Sequence, residues 1–262
     1  MLELITVFFF GLIIGSFCNV IIYRLPLGKS VVFPNSYCPS CNKPIKWYDN
    51  IPLVSYLLLM GKCRFCKKRI SIQYPLIELI TGINFLLLWI FIENNYVFSG
   101  FFVFTVLLTA IFMIDFYHSI IPDELSFTLI AAGLLFSPVN PYLGDTAVLF
   151  RVIYSIAGAV TGMLFFLIVD KTGKKLLKKD VIGGGDIKLL AGIGAVLSFP
   201  GIFISVFIGS LLGTIFSVFC IYVIKTKKWG EYIPYGPFLV ISTYIYLYIL
   251  IIWKFDIFKI FI

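Results

Sequence analysis

Eight long apolar runs dominate this chain and limit its fold more than any other feature. They cover residues 2–23, 76–92, 97–114, 125–139, 147–169, 187–199, 202–224 and 237–253, each bounded by polar, proline or glycine residues. A bilayer core of about 30 Å is crossed by about 20 apolar residues in a helix, and backbone groups cannot stay unpaired in lipid. The runs are therefore expected to be helices. Composition agrees: 60% of the 262 residues are hydrophobic and only 13% are charged, against about 25% charged in soluble domains. A soluble globular fold is excluded. The expected fold class is all-α, a polytopic membrane bundle of about eight transmembrane helices. A further apolar stretch, residues 51–60, is too short to span and reads as an interfacial or partly buried loop segment.

The net charge of +8 would suggest nucleic acid in a soluble chain. Here the basic residues are sorted by loop instead, so no nucleic-acid partner is expected. Nine lie between the first and second runs, from Arg24 to Arg69. Lys171, Lys174, Lys175, Lys178 and Lys179 follow the fifth run, and Lys225, Lys227 and Lys228 follow the seventh. With eight spans these loops share one side, which the positive-inside rule makes the cytoplasm. Including Lys188 at the membrane edge, 18 of the 21 basic residues fall there, and only Arg151, Lys254 and Lys259 fall opposite. Both termini are then external. The first run has no basic residue before it, so it reads as a retained span rather than a cleaved signal. GxxxG spacings at Gly11/Gly15, Gly158/Gly162 and Gly209/Gly213 permit close helix contact.

The one polar break, residues 25 to about 74, holds Cys38-Pro-Ser-Cys41 and Cys63-Arg-Phe-Cys66. Each CxxC puts two thiolates on one tight turn, and two such turns complete a tetrahedral set for Zn²⁺. Two disulfides are the alternative, but the topology places this loop in a reducing compartment where they rarely persist. Four cysteines leave no open position, so the expected metal: Cys38, Cys41, Cys63 and Cys66 holding a structural zinc in a cytoplasmic zinc-binding loop. Cys18 and Cys220 lie within spans and read as small packing residues.

Charged residues within or beside spans are costly and are expected to be paired or functional. Glu78 suits either a polar contact within the bundle or a cationic ligand. Asp170 begins a lysine-rich loop and reads as a solvated charge. Asp115 closes the third run, Asp123 follows in Ile121-Pro122-Asp123, and Asp186 ends Gly183-Gly184-Gly185-Asp186 before the sixth. Two carboxylates held together at a partly desolvated site cannot easily both ionise, so one keeps a proton while the other serves as base on a water. That is what an aspartic protease requires. The partner of Asp186 is Asp115 or Asp123 on periodicity alone. Helix capping by these aspartates is the plainer alternative. His118 has no partner at hydrogen-bond spacing and reads as interfacial.

Taken in order, these motifs resemble the type IV prepilin peptidase family. Residues 15–26, GSFCNVIIYRLP, are similar to its first-span signature, and the cysteine loop with Trp47-Tyr48-Asp49-Asn50-Ile51-Pro52 is similar to its second. Gly61-Lys62-Cys63, Tyr74-Pro75-Leu76-Ile77-Glu78, the two carboxylate motifs and Tyr235-Gly236-Pro237-Phe238 follow in the family's order. Cys18 and Gly184 depart from its usual residues without touching a required functional group. The resemblance implies a bifunctional enzyme that removes the basic leader of prepilins or pseudopilins at the cytoplasmic face. It would then methylate the new N-terminal amine with S-adenosylmethionine. It implies Asp115 and Asp186 as catalytic pair, with Asp123 as alternative, Gly183 and Gly185 as motif glycines, and Gly61, Lys62 and Glu78 as methyltransferase residues. It further implies a first transmembrane helix in residues 1–24, a methyltransferase-associated cysteine loop in 25–75 and a peptidase domain in 76–262, all in the bacterial inner membrane. A peptidase without methyl transfer, a non-enzymatic assembly scaffold and a transporter are the rival readings.

Overall fold

The computed structural model describes residues 2–144, 147–178, 182–224 and 233–253. These residues form eight helices and no β-strand: α1 (Leu2–Arg24), α2 (Val54–Leu58), α3 (Gln73–Phe91), α4 (Asn95–His118), α5 (Asp123–Phe136), α6 (Val148–Leu177), α7 (Gly184–Phe219) and α8 (Gly236–Trp253). Every apolar run is helical, the sixth and seventh lying together in α7. All but α2 and α5 are long and apolar enough to cross a membrane. Of the basic residues that set the topology, Lys179, Lys225, Lys227, Lys228, Lys254 and Lys259 lie outside the described residues.

The chain divides into two compact units, Met1–Glu93 and Asn94–Ile262. In the first, α1 and α3 pack antiparallel along a seam that the small residues of α1 make possible. A Cβ at Gly11 would lie 2.9 Å from Gly82 Cα, and one at Gly15 would lie 2.7 Å from Glu78 Cα. A turn further on, Asn19 Nδ2 donates to the Tyr74 carbonyl at 3.0 Å. The first GxxxG pair is thus a helix–helix contact. The short α2 leaves Leu57, Leu58 and Met60 more than 70% exposed, as an interfacial segment requires.

The second unit is built around α7. Its backbone breaks at Ser198, where φ is 53° and ψ −156°. Gly158 of α6 packs against Ser198, Gly162 packs against Leu190, and Phe165 stacks edge-on with Phe203. Positions 190 and 203 therefore meet the same stretch of α6, so the second half of α7 runs back beside the first. Sequence had separated these halves at Pro200. The reversal frees carbonyls, because Pro200 has no N–H to return to residue 196. Asn140 Nδ2 donates to Val196 O at 2.8 Å, and Ser155 Oγ donates to Ala195 O at 2.6 Å. Polar side chains here replace backbone partners that lipid could not supply. Asn140→Leu, which keeps the bulk and removes the donor, is expected to cost about 1–3 kcal/mol. A lowered unfolding temperature in detergent would register it, and an unchanged one would show that the Val196 carbonyl does not depend on this bond.

Helix α8 lies antiparallel to the returning half of α7, joined by Ser242 Oγ to Ser205 O at 2.7 Å and by Gly209 against Leu239. It is tied to α4 by the Tyr244 hydroxyl on Thr105 O at 2.6 Å. All three GxxxG pairs thus sit at helix contacts. Cys18 and Cys220 are buried.

Candidate functional site

Four chain segments of the second unit converge on one point: the end of α4, the turn before α5, and the first turns of α7 and α8. Asp115 and Asp186 are buried there, 3% and 7% exposed. Their charges lie close enough to act on each other. The close approach depends on glycine. A Cβ on Gly236 would sit 2.5 Å from Asp115 Oδ2, and one on Gly185 would sit 2.8 Å from Ile121 Cβ. Ile121 also packs against Gly236, so the turn before α5 closes over both helix starts. The Gly236 backbone N–H faces the Asp115 carboxylate. At Gly183 a Cβ would lie 3.1 Å from Asp186 Oδ2, whereas Gly184 faces open space. Only the outer two glycines of the motif are constrained sterically, in keeping with the tolerance expected at the middle one.

Asp186 occupies the first turn of α7, where the Gly183 backbone N–H faces its carboxylate, yet its Oδ1 is buried without a hydrogen-bond partner. An orphaned acceptor in a buried site is costly unless something else completes it. Asp123 does not join the pair. It is largely exposed at the start of α5 and is ion-paired with Lys188, which also lies over the Phe127 ring. His118 is exposed at the end of α4.

Asp170 corrects one expectation. It is buried, pairs with Lys174 at 2.8 Å and accepts from the Ile182 N–H at 3.2 Å. The Ile182 contact, twelve residues on, is not revealed by the lysine-rich sequence around Asp170.

In the first unit the four Sγ atoms of Cys38, Cys41, Cys63 and Cys66 all lie within 4.8 Å of one another, and Cys38 and Cys66 are 3.9 Å apart. Tetrahedral Zn–S bonds of ~2.3 Å place sulfurs about 3.8 Å apart, so the set fits zinc. Two turns of matching construction build it. After each second cysteine the chain turns left-handed, at Asn42 (φ 55°) and Lys67 (φ 59°). Asn42 N–H then returns to Cys38 O at 2.8 Å and Lys67 N–H to Cys63 O at 3.0 Å. The Cys66 and Phe65 amides face the Cys63 thiol and push it down to about 7. At Cys41 the Lys43 amide pulls the thiol down, but desolvation and the Cys38 and Cys66 sulfurs outweigh it and push it up to about 11. The four thiols therefore do not all ionise unaided, and a divalent cation supplies the charge that lets them. Arg64 forks onto Asp49 at 2.6 and 2.7 Å, holding that carboxyl below the usual range and tying the turn Trp47–Asp49 to the second knuckle.

Beside the cysteines lies a cavity of about 410 Å³ between the loop and the facing sides of α1 and α3. Glu78 lines it and accepts from the Leu53 N–H at 2.9 Å. This bond holds Leu53 in a left-handed conformation (φ 58°) at the start of α2. Gly61 and Lys62 do not line the cavity. Gly61, also left-handed, joins α2 to the second knuckle, its N–H on Tyr56 O at 2.9 Å. The resemblance gave Glu78 a role but none to Asn19, which stands in the first-span signature and lines the same cavity, nor to Gly236 beside Asp115.

Residues 9–92 match the model of the bacterial Peptidase A24 N-terminal domain, and residues 101–218 match that of the type IV leader peptidase family. The chain is 34% identical over 266 residues to the prepilin leader peptidase/N-methyltransferase of Aeromonas salmonicida, with 91% of this chain and 88% of that one covered. The protein of the same name from Neisseria gonorrhoeae is 34% identical over 260 residues, covering 90% and 86%. The one from Vibrio cholerae is 33% identical over 245 residues, covering 88% and 91%. No solved structure matches the chain.

Proposed function

The chain belongs to the type IV leader peptidase family, and from that premise we propose that it is a bifunctional membrane enzyme. It cleaves the basic leader from prepilins or pseudopilins at the cytoplasmic face of the inner membrane, then methylates the exposed N-terminal amine. The rival scaffold, transporter and peptidase-only readings account for less. The buried carboxylate pair carries the hydrolytic reading, above all Asp186 Oδ1, which has no partner within the protein. In the proposed reaction one carboxylate takes a proton from water as its oxygen adds to the scissile carbonyl. The other, holding a proton, gives it to the carbonyl oxygen. Collapse of the tetrahedral adduct breaks the C–N bond, and a proton passes to the leaving amine.

The depth of the site suits this substrate. Helix α5 has 14 residues, or about 21 Å, and the first half of α7, Gly184 to Ser198, is equally short. Neither fills a hydrocarbon layer of about 30 Å. The turn before α5 and the first turn of α7, beside which Asp115 and Asp186 gather, can lie in a recess that water and the end of a membrane-held substrate helix both reach.

Methyl transfer is assigned to the first unit, with residues 25–75 folded on zinc by the four cysteines. S-adenosylmethionine, when bound, supplies the methyl group. Gly61 and Lys62 contribute by holding the second knuckle against α2, and Glu78 by fixing Leu53 at the cavity wall.

The test is to incubate the purified protein with a prepilin and S-adenosylmethionine and follow the mass of the product's N-terminus. Loss of the leader with gain of one methyl is expected. A leader left intact on every prepilin tried would favour the scaffold, and cleavage without methyl gain would leave the peptidase alone. A narrower test is Gly236→Ala, whose methyl group would press on Asp115 Oδ2. Cleavage is expected to fall about 10- to 100-fold with methylation of a pre-cleaved peptide unchanged, a 1 Å displacement in an active site being worth about that much.

A further inference from the structure

Asn19 presents an anomaly within the first unit. It lies on a membrane helix at only 2% exposure. Its amide nitrogen is engaged by Tyr74 O, yet its Oδ1 has no partner. Such an orphan in an apolar surrounding is tolerated where a ligand completes it. Asn19 lines the 410 Å³ cavity, a volume within the range of small-molecule sites. One helical turn from the Asn19–Tyr74 contact, Glu78 brings a carboxylate to the same wall. The floor between α1 and α3 thus offers acceptors. Aromatic side chains, Tyr23, Tyr37 and Tyr56 among them, line the rest with basic residues of the cysteine loop.

Resting on the methyl-transfer reading above, we propose that this cavity is the site of the methyl donor, with Asn19 Oδ1 accepting from the ammonium of its methionine portion. The reasons are chemical. S-adenosylmethionine carries two cationic groups, the ammonium and the sulfonium, that seek acceptors and carboxylates. It also carries an aromatic base that stacks on aromatic rings and a carboxylate that seeks basic side chains. The cavity offers acceptors at its floor, and rings and cations above. Asn19 is a binding residue in this scheme, and its second amide atom, bonded to Tyr74 O, fixes which way the acceptor points.

The experiment measures equilibrium dialysis of labelled S-adenosylmethionine against the full-length, zinc-loaded protein in detergent, with Asn19→Leu and Asn19→Asp. Leucine removes the acceptor, and binding is expected to weaken about 10-fold or more, the scale of a hydrogen bond to a charged group. Aspartate keeps an acceptor toward the cation, and binding is expected to stay near that of the unaltered protein. Zinc content and leader cleavage should be unchanged in both variants. Undiminished donor binding by Asn19→Leu would overturn the proposal. So would loss of zinc together with donor binding, which would mark a packing role. Intact donor affinity with a raised KM for the cleaved peptide would place the acceptor amine here instead. If the unaltered protein binds no donor at all, the methyl-transfer reading itself fails.

Discussion

Replacing Asp115 or Asp186 by Asn is expected to lower leader cleavage by about 10³- to 10⁴-fold, the scale of general acid–base catalysis. Each Asn keeps the shape of the carboxyl and removes its ability to take or hold the proton. Because the two carboxyls act as one unit, the double variant should be little worse than either single one. Asp123→Asn should leave cleavage nearly intact, for that carboxylate is exposed and engaged with Lys188. Measuring initial rates on a prepilin in lipid, with methylation of a synthetic pre-cleaved peptide as control, separates chemistry from folding. Cleavage that survives Asp186→Asn would remove this pair from the reaction, and strong loss with Asp123→Asn would move the partner to α5.

Removing the metal should have the opposite pattern. Between the end of α1 and the start of α3 the chain has only two short 3₁₀ turns and the five-residue α2, so little but the cysteine centre orders it. Structural zinc sites contribute apparent binding energies of about 10–16 kcal/mol, which is folding energy for such a segment. Cys63→Ser is therefore expected to lose zinc, to become sensitive to trypsin at the loop's lysines and arginines, and to drop methyl transfer to background. Leader cleavage should persist, its residues lying in the other unit. Elemental analysis beside limited proteolysis reads the first two effects. A zinc-free variant that still methylates at full rate would end the structural role assigned to the metal.

How much of this could be read from the residues depended on distance along the chain. Long continuous apolar runs specify helices because a helix pairs its backbone within a single segment in lipid, and the eight runs are all helical. The CxxC pairs were legible because metal geometry is local, although the left-handed Asn42 and Lys67 that shape each knuckle carry no strong sequence signal. Asp115 and Asp186 stood out as charges beside apolar stretches. Choosing between Asp115 and Asp123 needed the family resemblance, since both follow the same run, and the Lys188 contact became visible only in three dimensions. Asp170 was misjudged because one of its partners, the Ile182 N–H, lies beyond a stretch of lysines. Asn19 stood in the first-span signature without a role, because its partner, Tyr74, lies 55 residues away. Gly236 was legible only as part of a motif, and its reason is a carboxyl oxygen on α4.

The boundary at Asn94 carries a final consequence. Its side chain accepts from the Tyr96 and Val97 amides at 2.9 and 3.2 Å, so α4 brings its own cap. All the residues proposed for hydrolysis lie beyond that point, and the four cysteines and the Asn19 cavity lie before it. On the proposed assignment, hydrolysis and alkylation would be separate modules that a gene could lose, exchange or encode apart without cutting a helix in two.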